Sequence, residues 1–298
     1  MQTAVVFLFC LVAIGWLILW AFLIAIKIRR REHLVKPQCR YIAEWDDVGS
    51  WNQAIGYCLV AIGFFFDIGW LVTRGEGVGA FLQTPVWAWV KTCGYMVGVV
   101  YLLINSGVCD PVSLSRLGFD LTKQDLKLGI LASVAILPFS WIASSVMATI
   151  AYYCIPQMST YSHPVTDAVK ASSLALEYLP VVLVSVILAP ACEEIIFRVL
   201  MQGRLEYNKL DDMDLIDEDD DSRWLSKDCV SKIPWSPIVV TSGVFALLHI
   251  GFGVIPISLF VFSICLGYLY RQTGRFWPCF IVHALHNLFS ILFVYSNK

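Results

Sequence analysis

The sequence predicts an all-α, polytopic membrane protein with about eight transmembrane helices. Three observations carry that prediction. Of 298 residues, 58% are hydrophobic and only 15% charged, and the mean hydropathy of +0.70 lies far above a soluble average. Apolar stretches long enough to cross about 30 Å of hydrocarbon as a helix recur along the chain. Lys and Arg are concentrated in alternate connections, as the positive-inside rule requires.

The expected spans are 3–26, 52–73, 86–108, 128–153, 172–203, 235–250, 254–270 and 276–296. The first meets KIRRR rather than a small-residue cleavage site and has no basic stretch before it. It therefore reads as a retained membrane helix, not a secretory signal. With Lys27–Arg40 on the cytoplasmic side, alternation places 109–127, 204–234 and 271–275 there too. Those four segments hold 16 of the 21 Lys and Arg residues, whereas the opposite connections and the C-terminus hold only Arg74, Lys170 and Lys298. Both termini are expected outside.

The connection 204–234 contains DDMDLIDEDDD. Such an acidic run reads as a solvated, mobile cytoplasmic loop. The chain divides accordingly into an N-terminal three-helix membrane region, 1–127, and a membrane core, 128–298, interrupted by that loop. A net charge of -2 and ten singly spaced cysteines offer no sign of a nucleic-acid partner, a disulfide framework or a zinc ribbon. The cysteines read as small buried hydrophobes. Asp67 and Lys91, at similar depth on spans two and three, are expected to form a structural ion pair.

Ionisable groups within spans mark functional sites by default, and the second half of the chain has many. The stretch APACEEIIFRVL carries Glu193, Glu194 and Arg198; His249 closes VFALLH, and IVHALHNLF holds His283, His286 and Asn287. At 1.5 Å per residue from the cytoplasmic ends of their helices, Glu193, His249, His283 and Asn287 lie roughly 16, 21, 12 and 18 Å deep. They share one layer. Glu194 and Arg198, at i,i+4 with the acid first, are expected to pair. Glu193, rotated by about 100°, remains a partly desolvated carboxylate suited to act as a base. Pro190 cannot donate a backbone hydrogen bond and should loosen the helix beside the two acids. His283 and Asn287 share a face, which His286 borders and supports.

A carboxylate base, an imidazole and two further donors are the equipment for hydrolysing an acyl bond with water. Glu193, helped by His249, would deprotonate the water, and His283 with Asn287 would stabilise the oxyanion. Neither a GxSxG elbow nor HExxH is present.

These residues resemble the three motifs of the CPBP intramembrane proteases (CAAX proteases and bacteriocin-processing enzymes, the Abi family). EExxxR appears as Glu193-Glu194…Arg198, FxxxH as Phe245…His249 and HxxxN as His283…Asn287, in that order. The resemblance covers roughly 175–292; the first half shows no such match. It implies a glutamate-dependent membrane endopeptidase related to type II CAAX prenyl endopeptidases, with an eight-span helical core. It also implies catalytic roles for Glu193, His249, His283 and Asn287, with Glu194 and Arg198 supporting. Two departures are Val199, where the family often has Gly, and the acidic insertion.

The family is often labelled metallopeptidase, and two histidines with a carboxylate could in principle bind zinc. The missing HExxH and the catalytic use of the carboxylate point instead to no metal and no cofactor. The expected partners are the bilayer and a membrane-associated peptide or protein, with prenylated substrates among the candidates. The expected location is the cell (inner) membrane, with the site toward the cytoplasm. Two alternatives stay open: a catalytically silent member acting as a membrane binding or immunity protein, and a proton-coupled transporter.

Overall fold

A computed structural model describes residues 32–41, 114–154, 182–216, 224–249 and 255–296, with scattered positions before 32 and between 94 and 101. The chain is mostly helical. Helix α1 spans Lys123–Cys154. Helix α2 is one continuous run over 183–211, built from Leu183–Leu188, Ala189–Glu194, Ile195–Gln202 and Gly203–Asp211. Helix α3 follows at Lys227–Lys232, α4 at Ser236–Leu247, α5 at Ile255–Thr273 and α6 at Phe276–Ser296.

Among the described residues, the helices long and apolar enough to cross a membrane are three: α1 (within 115–154), α5 and α6. Three of the eight expected spans, 128–153, 254–270 and 276–296, have counterparts among them. Most of spans one to three, with the Asp67–Lys91 pair, and residues 155–181 lie outside the described residues. Helix α4 has 12 residues, about 18 Å of rise, and is too short to cross alone. The expected sixth span therefore ends early. Helix α2 is long enough but carries Glu193, Glu194 and Arg198 within its apolar part.

Each helix begins for a local reason. Thr122 and Asp125 form a capping box before α1: Thr122 N–H donates to Asp125 Oδ2 at 2.9 Å, and Asp125 N–H to Thr122 Oγ1 at 3.1 Å. Ser226 caps α3 by accepting from Cys229 N–H at 3.3 Å. Pro237 opens α4, where its missing N–H costs nothing. Leu131, Val134, Val146 and Ile150 of α1 are exposed; they suit a lipid-facing surface, since hydrocarbon is as apolar as they are.

The described parts of the four basic segments gather at one end of the molecule. Strands β1 (Arg40–Tyr41) and β2 (Trp224–Leu225) pair antiparallel, with Arg40 opposite Leu225. Gln38 N–H donates to Gln272 O at 2.9 Å. Arg275 donates from Nε and Nη2 to the two oxygens of Asp125 at 2.6 and 2.8 Å, and Trp277 Nε1–H donates to Phe119 O at 2.6 Å. Gly274 ends α5 at φ 63°, its N–H on Tyr270 O at 2.7 Å, with the Arg40 side chain packed against it. A side chain there would suffer both the positive φ and the clash.

The helical class holds, with β1 and β2 adding one short two-stranded pairing. Two other sequence expectations need correction here. The stretch 204–234 is not simply a loop: α2 runs on to Asp211, and β2 and α3 follow. Leu210, Leu225, Val230 and Ile233 supply the reason, packing into a small buried apolar cluster that solvation alone would not allow. The cysteines are not uniformly buried. Cys192 and Cys279 are, whereas Cys39 and Cys154 are exposed.

Candidate active site

The site is built where α2 crosses α6. Helix α2 is wound loosely on either side of Ala189–Glu194, with π-type turns at Leu183–Leu188 and Ile195–Gln202. Such wide turns are rare and concentrate at functional positions. Ala189 N–H donates to Val184 O, five residues back. The next donor in that register would serve Ser185 O, but residue 190 is proline and has none. Asn287 fills the place, its Nδ2 donating to Ser185 O at 2.8 Å. Pro190 thus opens the helix as expected, and α6 supplies the missing donor.

Glu194 is completely buried and paired as the sequence implies. Arg198, equally buried, donates from Nε to Glu194 Oε2 at 3.1 Å and from Nη2 to Ser263 Oγ at 2.8 Å. Glu194 Oε1 accepts from His283 Nδ1 at 2.7 Å. Glu193 turns away from this pair, and its side chain keeps 18% exposure. Its Oε2 stands 3.5 Å from His283 Nε2. One imidazole therefore faces two carboxylates, one buried with its arginine and one reachable.

The neighbouring groups follow. The carbonyl oxygen of Phe245 can only accept, so His249 Nδ1, 2.8 Å away, carries the proton; in the neutral ring this makes Nε2 the basic nitrogen. The Phe245 ring lies 4.9 Å from the His249 ring and 6.0 Å from His283, bringing both imidazoles to one aromatic side chain. His249 sits just beyond the end of α4, which explains how so short a helix delivers it. His286 contacts Ser140 Oγ through Nε2 at 3.1 Å and Asn287 Oδ1 through Nδ1 at 3.4 Å. That contact fixes Asn287 with Nδ2 toward Ser185.

All six residues expected from the sequence thus lie on α2 and α6 or beside them, at Phe245. Sequence reading missed Ser263, Ser185 and Ser140, which hold Arg198, Asn287 and His286. Single serines in apolar helices carry no pattern. It also missed Gln202 and Glu206, although their spacing of four and eight from Arg198 was legible. Among the described residues no group of three His, Cys, Asp or Glu is disposed to hold a metal ion.

Residues 175–289 match the family described as type II CAAX prenyl endopeptidase Rce1-like. This segment is similar to the CAAX-protease family. Comparison with curated proteins and with solved structures gives no match. The matched segment contains every residue of the site named in the sequence, from Glu193 to Asn287. Ser140, which holds His286, comes from outside it, as do Arg40 and Asp125 at the basic end. The CAAX-protease match and the three apolar helices together indicate an integral membrane protein. The match gives no support to a metallopeptidase label.

Proposed function

We propose that the protein is an intramembrane endopeptidase of the CAAX type that cleaves a membrane-associated peptide with a water activated by Glu193. The observation that carries this reading is the placement of His283 between a locked carboxylate, Glu194, and a reachable one, Glu193. Arg198 keeps Glu194 charged and fixed, so Glu194 orients the imidazole as the buried acid does in a hydrolase triad. Glu193 takes a proton from water as its oxygen attacks the peptide carbonyl, helped by the basic Nε2 of His249.

The developing oxyanion then needs donors. Asn287 Nδ2 has two hydrogens, and Ser185 O takes one. The second serves the oxyanion. With both ring nitrogens protonated, His283 serves it as well, through Nε2–H. The proton on Glu193 passes to the leaving amine as the carbon–nitrogen bond breaks, which returns the carboxylate. No metal or cofactor enters these steps. The substrate is a prenylated or otherwise membrane-held peptide that reaches the site laterally, from the cytoplasmic side where the basic segments gather.

The test is cleavage of a farnesylated CAAX-type peptide by the purified full-length protein in lipid nanodiscs. The wild type should release the C-terminal tripeptide and Glu193→Ala should not. Release by both, at equal rates, would remove Glu193 from the mechanism.

A further inference from the structure

The amide of Asn287 is held from both sides, and its partners determine where each proton lies. The Ser185 carbonyl oxygen can only accept, so the group facing it at 2.8 Å is Nδ2. Oδ1 points the other way, toward His286 Nδ1 at 3.4 Å. An amide oxygen also only accepts, so the proton of the His286 ring is on Nδ1. In the neutral ring Nε2 is then an acceptor, and the Ser140 hydroxyl donates to it at 3.1 Å. The donors therefore run one way. They lead from Ser140 on α1, through His286 and Asn287 on α6, to the Ser185 carbonyl that Pro190 leaves open on α2.

Both ends of the His286 contact are clamped. Ser140 is buried, and α1 lies close against α6. A Cβ on Gly129 would stand 2.8 Å from the Ile281 Cβ, and Trp141 meets Phe289 edge-on at 6.3 Å. Phe262, fully buried, covers the His286 ring at 4.4 Å and stands edge-on to His283 at 5.4 Å. The ring is thus held in plane, and Ser140 selects its tautomer.

We propose that His286, fixed as the Nδ1–H tautomer by Ser140, is a positioning residue for Asn287 as the oxyanion donor. This rests on the hydrolase reading above. A hydrogen bond donated to Oδ1 stops the amide from turning and polarises it, which strengthens the second Nδ2 hydrogen as a donor. Ser140 lies outside the matched segment 175–289. Through it, α1 becomes part of the active-site support.

Two substitutions separate this role from packing. His286→Phe keeps a flat ring against Phe262 but has no donor. His286→Asn gives up the ring but sets an amide N–H where Nδ1 stood. With full-length protein in nanodiscs and the farnesylated CAAX-type peptide, His286→Phe should lower kcat by about tenfold to a hundredfold, as a misplaced group does. KM should stay at the wild-type value, and His286→Asn should recover most of the loss. A packing role reverses that order, and the reverse order or equal kcat in the two variants overturns the proposal.

The tautomer is read without catalysis. In protein carrying isotopically labelled histidine, the nitrogen NMR signals lost in His286→Phe should show a protonated Nδ1 and a bare, hydrogen-bonded Nε2. Ser140→Ala should shift that Nε2 signal. A proton on Nε2 overturns the proposal. If the tautomer is as stated while the wild type leaves the peptide uncut, the chain of donors stands, and the hydrolase reading falls together with the positioning role.

Discussion

Glu194 and His283, 89 residues apart in sequence, are joined by a 2.7 Å contact between Oε1 and Nδ1 inside the helical core. Glu194 Oε2 is held in turn by Arg198. The adjacent Glu193 shares neither bond to the same degree, and one step along a helix separates a structural acid from a reactive one. That division of labour sets the contrast between the two glutamates. Glu193→Ala should abolish cleavage of the farnesylated peptide while leaving the yield of monodisperse protein near wild type. Glu194→Ala should lower that yield, because it leaves Arg198 buried without a counter-charge. Size-exclusion profiles and peptide mass spectrometry on the same preparations check both.

Arg198→Ala should cost about 3–5 kcal/mol of stability by exposing Glu194 to an apolar interior without its cation. Arg198→Lys should not restore it. An ammonium on a flexible stem cannot reproduce the fork that reaches Glu194 and Ser263 together. Thermal melting of the three proteins in nanodiscs decides, and a lysine variant melting with the wild type would refute the fork argument.

Asn287 and Pro190 should be energetically coupled. Asn287→Ala leaves Ser185 O with no donor, at a cost of about 1–3 kcal/mol. Pro190→Ala supplies a backbone N–H in the same register and should recover much of that loss in the double variant. Strictly additive effects in a double-mutant cycle would show that the proline gap and the amide are unrelated.

At the basic end, burial works against the Arg40 charge, but the Glu206 carboxylate beside it prevails and raises its pKa above the ordinary value. Removing one partner alone is therefore the damaging change. Arg40→Met should destabilise by about 3–5 kcal/mol, and Arg40→Met with Glu206→Met should recover most of it, since apolar replacements of a buried pair are commonly neutral. Melting midpoints of the single and double variants test this.

The sequence was sufficient for the local relationships. Glu194 and Arg198 pair because helical spacing dictates it, Pro190 perturbs α2 because it lacks a donor, and α6 spans Phe276–Ser296 because its apolar run has those limits. The basic segments could be assigned to one end by counting charges, and the structure brings Arg40, Arg271 and Arg275 together there. Hydropathy could not show that α4 stops at Leu247 or that the stretch after Arg204 folds, since an acidic composition hides four apolar residues spaced to meet one another. Nor could it show that His283 faces both glutamates, that Asn287 serves the carbonyl left by Pro190, or that Arg40 pairs with Glu206 in the interior. Spacing along a helix is fixed by covalent geometry and is readable residue by residue. Which faces meet depends on packing between segments far apart in the chain, and only the tertiary structure decides that.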